Sequence, residues 1–366
     1  MRIAATKSIE PGTKLAKAIY NENGQILIQE DVSLTQRMLK RLQKYNITYV
    51  HIKDSLTEDI NISTPIPEKL RMEAYQTIKH SFSDFQSQGI GKNSFVFEKT
   101  GKQMADMVGS LMDEIQQADQ VVSILSDVFL TDNYVFSHSL NVTIYSLALA
   151  TELGMSRSKM EEIGLGAMLH DVGKMFIPQE ILQKQGSLSE MEFEIIKGHT
   201  DIGFEFLRNN HNIPLLAAHC AFQHHERLNG SGYPRGLTEK DIHPHAKLIG
   251  IADVFDAVTS NRVYRDAMLP HEGLEVLYAG AGDLFDRELV EAFRRTIAVY
   301  PTGLMVELSD GRAGIVAKQN QQLCERPVIR ILEEDGHAVS VPYEIDLAEH
   351  LNLMVTSCFA TDLAKS

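Results

Sequence analysis

The spacing of apolar and polar positions divides the chain into stretches of different period. Residues 1–64 alternate short apolar runs with turn residues. LAKAIY and QILIQ flank Asn21–Gly24, SLTQRMLKRLQKY repeats at the helical period, and ITYVHI is extended. A small α+β module is predicted there. Asn61–Pro67 is polar and holds two prolines, so it reads as a connection into a helical stretch beginning near Glu68. Glycine-containing polar sequence around Gln86–Asn93 breaks that stretch before a second helix over about Glu98–Gln117. Residues 65–118 are therefore expected to be a helical linker.

Residues 119–300 show helix after helix, with little that alternates at period two. A mainly α core domain is predicted. Ser158 with Glu161 and Ser189 with Glu192 have capping-box spacing, and Pro178, Pro214, Pro234, Pro244 and Pro270 punctuate the connections. Beyond Pro301, LMVELSD, GRAGIVAK, RPVIRILEEDG and HAVSVPYEI are short β-rich segments separated by Gly, Asn and Asp. Residues 301–366 are expected to form a small β-rich C-terminal domain.

Composition narrows the function. The chain has 366 residues, well beyond a typical domain of roughly 150, so two or three folding units are expected. Cys220, Cys324 and Cys358 form an odd set without CxxC spacing, which supports neither a disulfide framework nor a zinc knuckle. A reducing, cytoplasmic setting is expected. No apolar run reaches the roughly 18 residues of a membrane span, and the start MRIAATKSIEPG lacks a signal-peptide core. Lys plus Arg number 35 and Asp plus Glu 49, a formal charge of 35 − 49 = −14. That balance opposes a broad grip on a nucleic-acid polymer. A smaller phosphate substrate needs only local positive charge, which divalent cations and a few arginines can supply.

The candidate chemistry lies in the placement of histidine and aspartate. GLGAMLHDVGK brings apolar residues up to adjacent His170 and Asp171, with Lys174 one turn later. Imidazole nitrogen together with a carboxylate that can bridge two ions suits Fe, Mn, Zn or Ni better than Ca or Mg alone. By itself an HD pair is a weak signal, since a buried histidine beside a surface aspartate is common. His224 and His225 are also adjacent and precede Glu226 and the glycine-rich NGSGYP, although a solvated pair at a helix end would look the same. His199 is expected mid-helix in EFEIIKGHTDIGFEFL, sharing an inward face with Phe193, Ile196, Gly203 and Phe206; a satisfied core histidine is the alternative. Asp253 lies in the apolar stretch AKLIGIADVFDAVTS, where an unpaired buried carboxylate would cost several kcal/mol, so a metal or a lysine must answer it. Asp256, one turn on, suits either a supporting role or the helix surface. Taken together, these residues favour a metal site in which two ions about 3.5–4 Å apart share Asp171 and activate a water against phosphorus. Lys174 would meet a phosphate oxygen or assist proton transfer.

HDVGK at 170–174 and HHERLNGSGYP at 224–234 resemble the HD-GYP phosphodiesterases of the HD superfamily. The likeness runs in order over about residues 119–300 and includes FSHSLNV around His138, KGHTDIG around His199, IADVFDAVTS around Asp253 and NRVYRDA from Asn261. It implies an all-α HD-type domain with a bi- or trinuclear metal centre, and hydrolysis of cyclic di-GMP to linear pGpG or on to GMP. Residue by residue, it implies one ion on His138, His170, Asp171 and Asp253. A second ion would sit on Asp171, His199, His224 and His225. Tyr233 would line the substrate pocket, and Arg262 and Arg265 would hold guanine or phosphate, as a planar guanidinium can do bidentately. Two departures stand out. Members with a third ion carry glutamate four residues before the first histidine, where this chain has Tyr134, so two divalent ions are expected, Fe or Mn before Zn or Ni. The loop begins with Asn229 where aspartate is usual, which removes a charge. A cyclic di-GMP receptor without turnover, or a hydrolase of another cyclic dinucleotide or nucleotide, are the competing readings. The helical linker could also carry a homodimer contact.

Overall fold

The N-terminal residues form β1 (Arg2–Ala5), β2 (Ile19–Asn21), β3 (Ile26–Ile28), α1 (Gln36–Lys44) and β4 (Tyr49–Ile52). β1 pairs antiparallel with β4, and β2 with β3. Thr35 starts α1 by accepting a hydrogen bond from the Met38 amide at 3.3 Å, and the helix buries Leu39 and Leu42 against Leu15, Leu34 and Val50. This computed structural model describes residues 1–21, 25–45, 47–62, 65–88, 94–118, 129–130, 134–184, 186–210, 213–260, 267–320 and 323–359.

Helices follow as the periodicity predicts: α2 (Glu68–Gln88), α3 (Ser94–Gln117), then a two-residue strand β5 (Phe129–Leu130), α4 (Tyr134–Glu152) and α5 (Arg157–Leu169). After a 3-10 turn at Val172–Phe176 come α6 (Gln179–Leu182), α7 (Glu190–Lys197), α8 (His199–Arg208), α9 (Leu215–Gln223), α10 (Pro244–Thr259), α11 (Pro270–Ala279) and α12 (Arg287–Thr296). α4 is buried from Val135 to Ala150 except at Ser137, which marks it as the central helix. It packs on α2, α3, α5, α10 and α12. The two helices expected to form a linker contribute Tyr75, Ile78, Phe82, Met104, Val108 and Leu111 to the same buried cluster.

The last stretch folds into β6 (Met305–Leu308), β7 (Ala313–Lys318), β8 (Val328–Glu334), β9 (His337–Asp346) and β10 (Val355–Phe359). They form one antiparallel sheet in the order β10-β6-β7-β8-β9. The terminal modules meet each other: Ile3, Ile60 and Ile62 share a cluster with Met305, Ile315 and Ala317. The Arg330 guanidinium grips Asp59 through two bonds of 2.5 and 2.6 Å. β5 pairs parallel with β2, so the helical region also supplies a strand to the N-terminal module. That pairing joins residues more than a hundred positions apart and has no signature in a local pattern.

Two local expectations need correction. The capping box at Ser189 and Glu192 forms, but Ser158 caps nothing; α5 begins at Arg157, with Ser156 at its N-cap and no side-chain cap bond. Nor is His199 mid-helix, because the helical run is divided at Gly198 and His199 opens α8. Among the described residues no helix is long and apolar enough to cross a membrane.

Candidate metal centre

Helix ends and one helix interior bring the predicted ligands together. α4 carries His138 on an inward face, α5 ends at His170, and Asp171 opens the 3-10 turn that holds Lys174. α9 ends at His224, with His225 next, and α10 presents Asp253. Gly173 is required for this convergence, because a Cβ there would lie 1.9 Å from the His199 carbonyl oxygen. The turn and α8 can therefore touch backbone to backbone, which sets Asp171 beside His199.

The ligand atoms fall into two groups that share Asp171: His138, His170 and Asp171, and Asp171, His199, His224 and His225. Oδ2 of Asp171 lies 3.5 Å from Nε2 of both His138 and His170, while Oδ1 lies 3.3 Å from His199 Nε2 and 3.8 Å from His224 Nε2. Asp253 lies between the groups, with Oδ1 at 3.1 Å from His138 Nε2 and Oδ2 at 3.5 Å from His225 Nδ1. His138, His170, Asp171, His199 and His224 are all buried.

Hydrogen bonds on the far side of each ring decide what the near side offers. His138 Nδ1 donates to Asp256 Oδ2 at 2.7 Å. His170 Nδ1 donates to the Ala167 carbonyl at 2.6 Å, His199 Nδ1 to Ile196 at 2.6 Å, and His224 Nδ1 to Cys220 at 3.2 Å. Carbonyls and carboxylates only accept, so Nδ1 carries a proton in each ring and Nε2 is the atom turned inward. Those Nε2 atoms face one another: Nε2 to Nε2 is 3.3 Å for His138 and His170, and 3.3 Å for His199 and His224. Asp171 Oδ1 is buried without a hydrogen bond. Lone pairs and an orphaned carboxylate oxygen crowded in a dry site need a cation, and 3.3 Å suits neighbouring donors around one ion at about 2 Å. The residues fit divalent metal.

Electrostatics agree. Burial would raise the Asp171 pKa, but the Lys174 charge and the adjacent imidazoles hold it well below the usual carboxylate range. Burial likewise opposes ionised Asp253, and His138 and His225 outweigh it in the same direction. Burial keeps His224 and His225 well below the ordinary imidazole value, hence neutral and ready as donors. At His138 burial is overcome by hydrogen bonds to Asp253 and Asp256, which lift it to about 10.

Around the centre, Lys174 Nζ lies 2.5 Å from Asp171 Oδ2 and 5.8 Å from the centre of the Tyr134 ring. The Tyr233 ring lies 4.5 Å from that of His225 at an interplanar angle of 31°, and Lys197 stands over both Phe193 and Tyr233. Glu226 ties down the loop by accepting from the Arg235 and Leu237 amides, each at 2.8 Å. Gly232 passes where a Cβ would come within 2.4 Å of the Glu226 Cα. Asn229 is exposed; its side chain accepts from the Ser231 amide and donates to Asp283, both at 3.0 Å. Arg262 and Arg265 lie outside the described residues.

Sequence reasoning left Asp256 undecided and passed over Asn141. Asp256 is 1% exposed and accepts from His138, from Asn141 Nδ2 at 2.9 Å and from Ser260 Oγ at 2.9 Å. A signal was present: Asn141 is i+3 from His138 and Asp256 is i+3 from Asp253, so each shares a helix face with a ligand.

A buried set of histidines and aspartates at converging helix ends defines a divalent-metal-binding helical domain. Residues 116–289 match the HD domain family, and residues 305–365 match the KOW domain associated with HD domain. The HD match takes in both the HDVGK and the HHERLNGSGYP segments. A cyclic di-GMP phosphodiesterase of Pseudomonas aeruginosa is 30% identical over 241 residues, 66% of this chain and 58% of that protein. A cyclic di-GMP phosphodiesterase of Thermotoga maritima is 36% identical over 231 residues, 62% of this chain and 61% of that protein. A 3'3'-cGAMP-specific phosphodiesterase 2 of Vibrio cholerae is 38% identical over 156 residues, 42% of this chain and 30% of that protein. The chain therefore spans less than two thirds of the length of these curated relatives.

Proposed function

We propose that the chain is a binuclear metal-dependent phosphodiesterase that hydrolyses cyclic di-GMP to pGpG or on to GMP. The observation that carries this reading is the shared carboxylate: the two oxygens of Asp171 each face a different pair of inward-turned imidazole nitrogens. His138, His170, Asp171 and Asp253 would hold one ion, and Asp171, His199, His224 and His225 the other. Fe or Mn suits this mixed nitrogen and oxygen set, with Zn or Ni as the next choices. Bound ions of this kind lower the pKa of a water towards neutrality and neutralise charge developing on a phosphoryl oxygen.

The chain's own residues do the rest. Asp171 keeps the two donor groups in register, and the buried Lys174 ammonium holds Asp171 ionised and supplies positive charge for a non-bridging phosphate oxygen. Tyr233 fixes the His225 ring by stacking and forms one wall of the approach, with Phe193 at 6.4 Å beyond it. Arg262 and Arg265 are assigned to guanine or phosphate on their sequence match alone. Residues 1–64, 65–118, 119–300 and 301–366 are the working division of the chain. The three cysteines are all free, which suits a cytosolic enzyme.

A second reading concerns the base. The Vibrio cholerae relative named for 3'3'-cGAMP supports a different cyclic dinucleotide at the same centre. One experiment addresses both. The chain is purified anaerobically, metal per chain is measured, and cleavage of cyclic di-GMP and 3'3'-cGAMP is followed for wild type and Asp171→Ala. Wild type should hold about two ions and Asp171→Ala should cleave on the order of 10³-fold more slowly. Less than one ion per chain in wild type, with equal cleavage by the variant, would sink the proposal. Nucleotide held stoichiometrically with no product over hours would make the protein a receptor instead. Tyr134→Glu should move metal content from about two towards three per chain; unchanged content would refute the role given to that position.

A further inference from the structure

Resting on the metal-centre reading above, we infer that Arg71, on a helix outside the HD match, is a positioning residue of the metal centre. α2 spans Glu68–Gln88, whereas the HD family match begins at residue 116. Arg71 is nevertheless buried, 7% exposed, and points into the helical core. Its Nη2 donates to Asn141 Oδ1 at 3.3 Å, Asn141 Nδ2 donates to Asp256 Oδ1 at 2.9 Å, and Asp256 Oδ2 accepts from His138 Nδ1 at 2.7 Å. The polarity of this chain is unambiguous. A guanidinium only donates and a carboxylate only accepts, so Asn141 between them has a single amide orientation. That orientation aims Asp256, and Asp256 sets the tautomer and tilt of His138, which leaves Nε2 as the donor to metal.

The same helix touches the other side of the centre. Gln86 Nε2 donates to the Met175 carbonyl at 2.8 Å, in the 3-10 turn that carries Lys174. Arg71 and Gln86 are about four turns apart, which returns both side chains to roughly the same side of α2. Aromatic contacts keep the helix from sliding between those points: Tyr75 and Phe82 meet Phe136 edge-on at 6.2 and 5.9 Å, and Phe85 meets Phe206 at 5.3 Å. Lys17 of the N-terminal module reaches Glu68 at the start of α2, at 3.9 Å. From α2 the relay to His138 runs through three hydrogen bonds.

The test uses the full chain, depleted of metal and titrated with Mn(II) while free Mn(II) is read by electron paramagnetic resonance. Arg71→Met keeps most of the buried bulk and removes the donors. It should weaken the tighter Mn(II) site by about 10-fold, and Asp256→Asn by about 30-fold. The double variant should be no weaker than Asp256→Asn alone, because both act on one chain of bonds. Ile78→Ala, on the same helix but outside the relay, controls for packing. It should lower the thermal midpoint of the metal-free protein at least as much as Arg71→Met while changing Mn(II) affinity less than about two-fold. Affinity unchanged in Arg71→Met, a loss in Ile78→Ala equal to that in Arg71→Met, or additive losses in the double variant would each overturn the inference. If wild type takes up no Mn(II), or Asp256→Asn binds it as wild type does, the metal-centre reading fails first. If Asp256→Asn alone is weakened, that reading stands and only the role of Arg71 falls.

Discussion

The two donor groups that meet at Asp171 are supported in different ways. His170, His199 and His224 turn their outer nitrogen to a backbone carbonyl three or four residues earlier on the chain. His138 turns its outer nitrogen to the Asp256 carboxylate, 118 positions away, which is itself held by Asn141 and Ser260. Carbonyl support comes with the helix and no side-chain substitution removes it. Carboxylate support adds negative charge, raises the basicity of the ring and depends on a side-chain network that other parts of the molecule can reach. One half of the centre is therefore locally determined and the other is open to adjustment.

Substitutions can separate the halves. The largest effect is expected from comparing His138→Ala with His199→Ala. Each should keep about one ion of two and lose cleavage on the order of 10³-fold, as the proposed two-ion attack on phosphorus requires. Metal analysis beside product quantitation reads this, and loss of both ions in either variant would mean that the halves do not bind independently. Lys174→Met should come next, with cleavage lowered by about 10²-fold and metal content retained; a fall in metal content would make Lys174 a structural counter-charge to Asp171 rather than a substrate group.

A buried imidazole away from the centre sharpens the contrast. His51, on β4, is pulled down to about 3, first by burial and then by the charges of Lys17 and the N-terminus. It is neutral when folded and has an ordinary value of 6.5, so the unfolded chain takes up its proton first. The associated stability is complete above pH 6.5 and is lost as pH falls towards 3, by about 2 kcal/mol between pH 6.5 and 5. His51→Gln should flatten that slope in urea titrations of the metal-free chain; an unchanged slope would assign the acid sensitivity elsewhere. The smallest effect belongs to Asn229→Asp. The exposed amide donates to Asp283, so the variant sets two carboxylates face to face and should cost under about 1 kcal/mol, with metal content unchanged. A change in metal content would show that this loop position acts on the ligands.

Much of the centre was legible because its ligands lie in short runs at helix ends. His170 with Asp171, and His224 with His225, are adjacent in sequence, and local propensity places their helices correctly. His199 was found but set in the wrong local context, since Gly198 divides a helix that the periodicity shows as continuous. Asn141 and Arg71 were missed because their meaning comes from partners 115 and 70 positions away. β10 and the pairing of β5 with β2 were missed for a related reason: short strands are specified by the neighbour they pair with.

By itself the sequence determined the kind of donor, its place at the end or on the face of a helix, the mainly α core and the β-rich tail. Those properties follow from side-chain chemistry and from periods of two and 3.6 residues, which a linear chain records directly. Only the tertiary structure decided that each oxygen of Asp171 serves a different histidine pair, that α2 is part of the core and reaches the metal centre, and that the two terminal modules share a cluster of apolar side chains. Those are consequences of helix and sheet packing between distant segments, where position in space, not position along the chain, sets which groups meet.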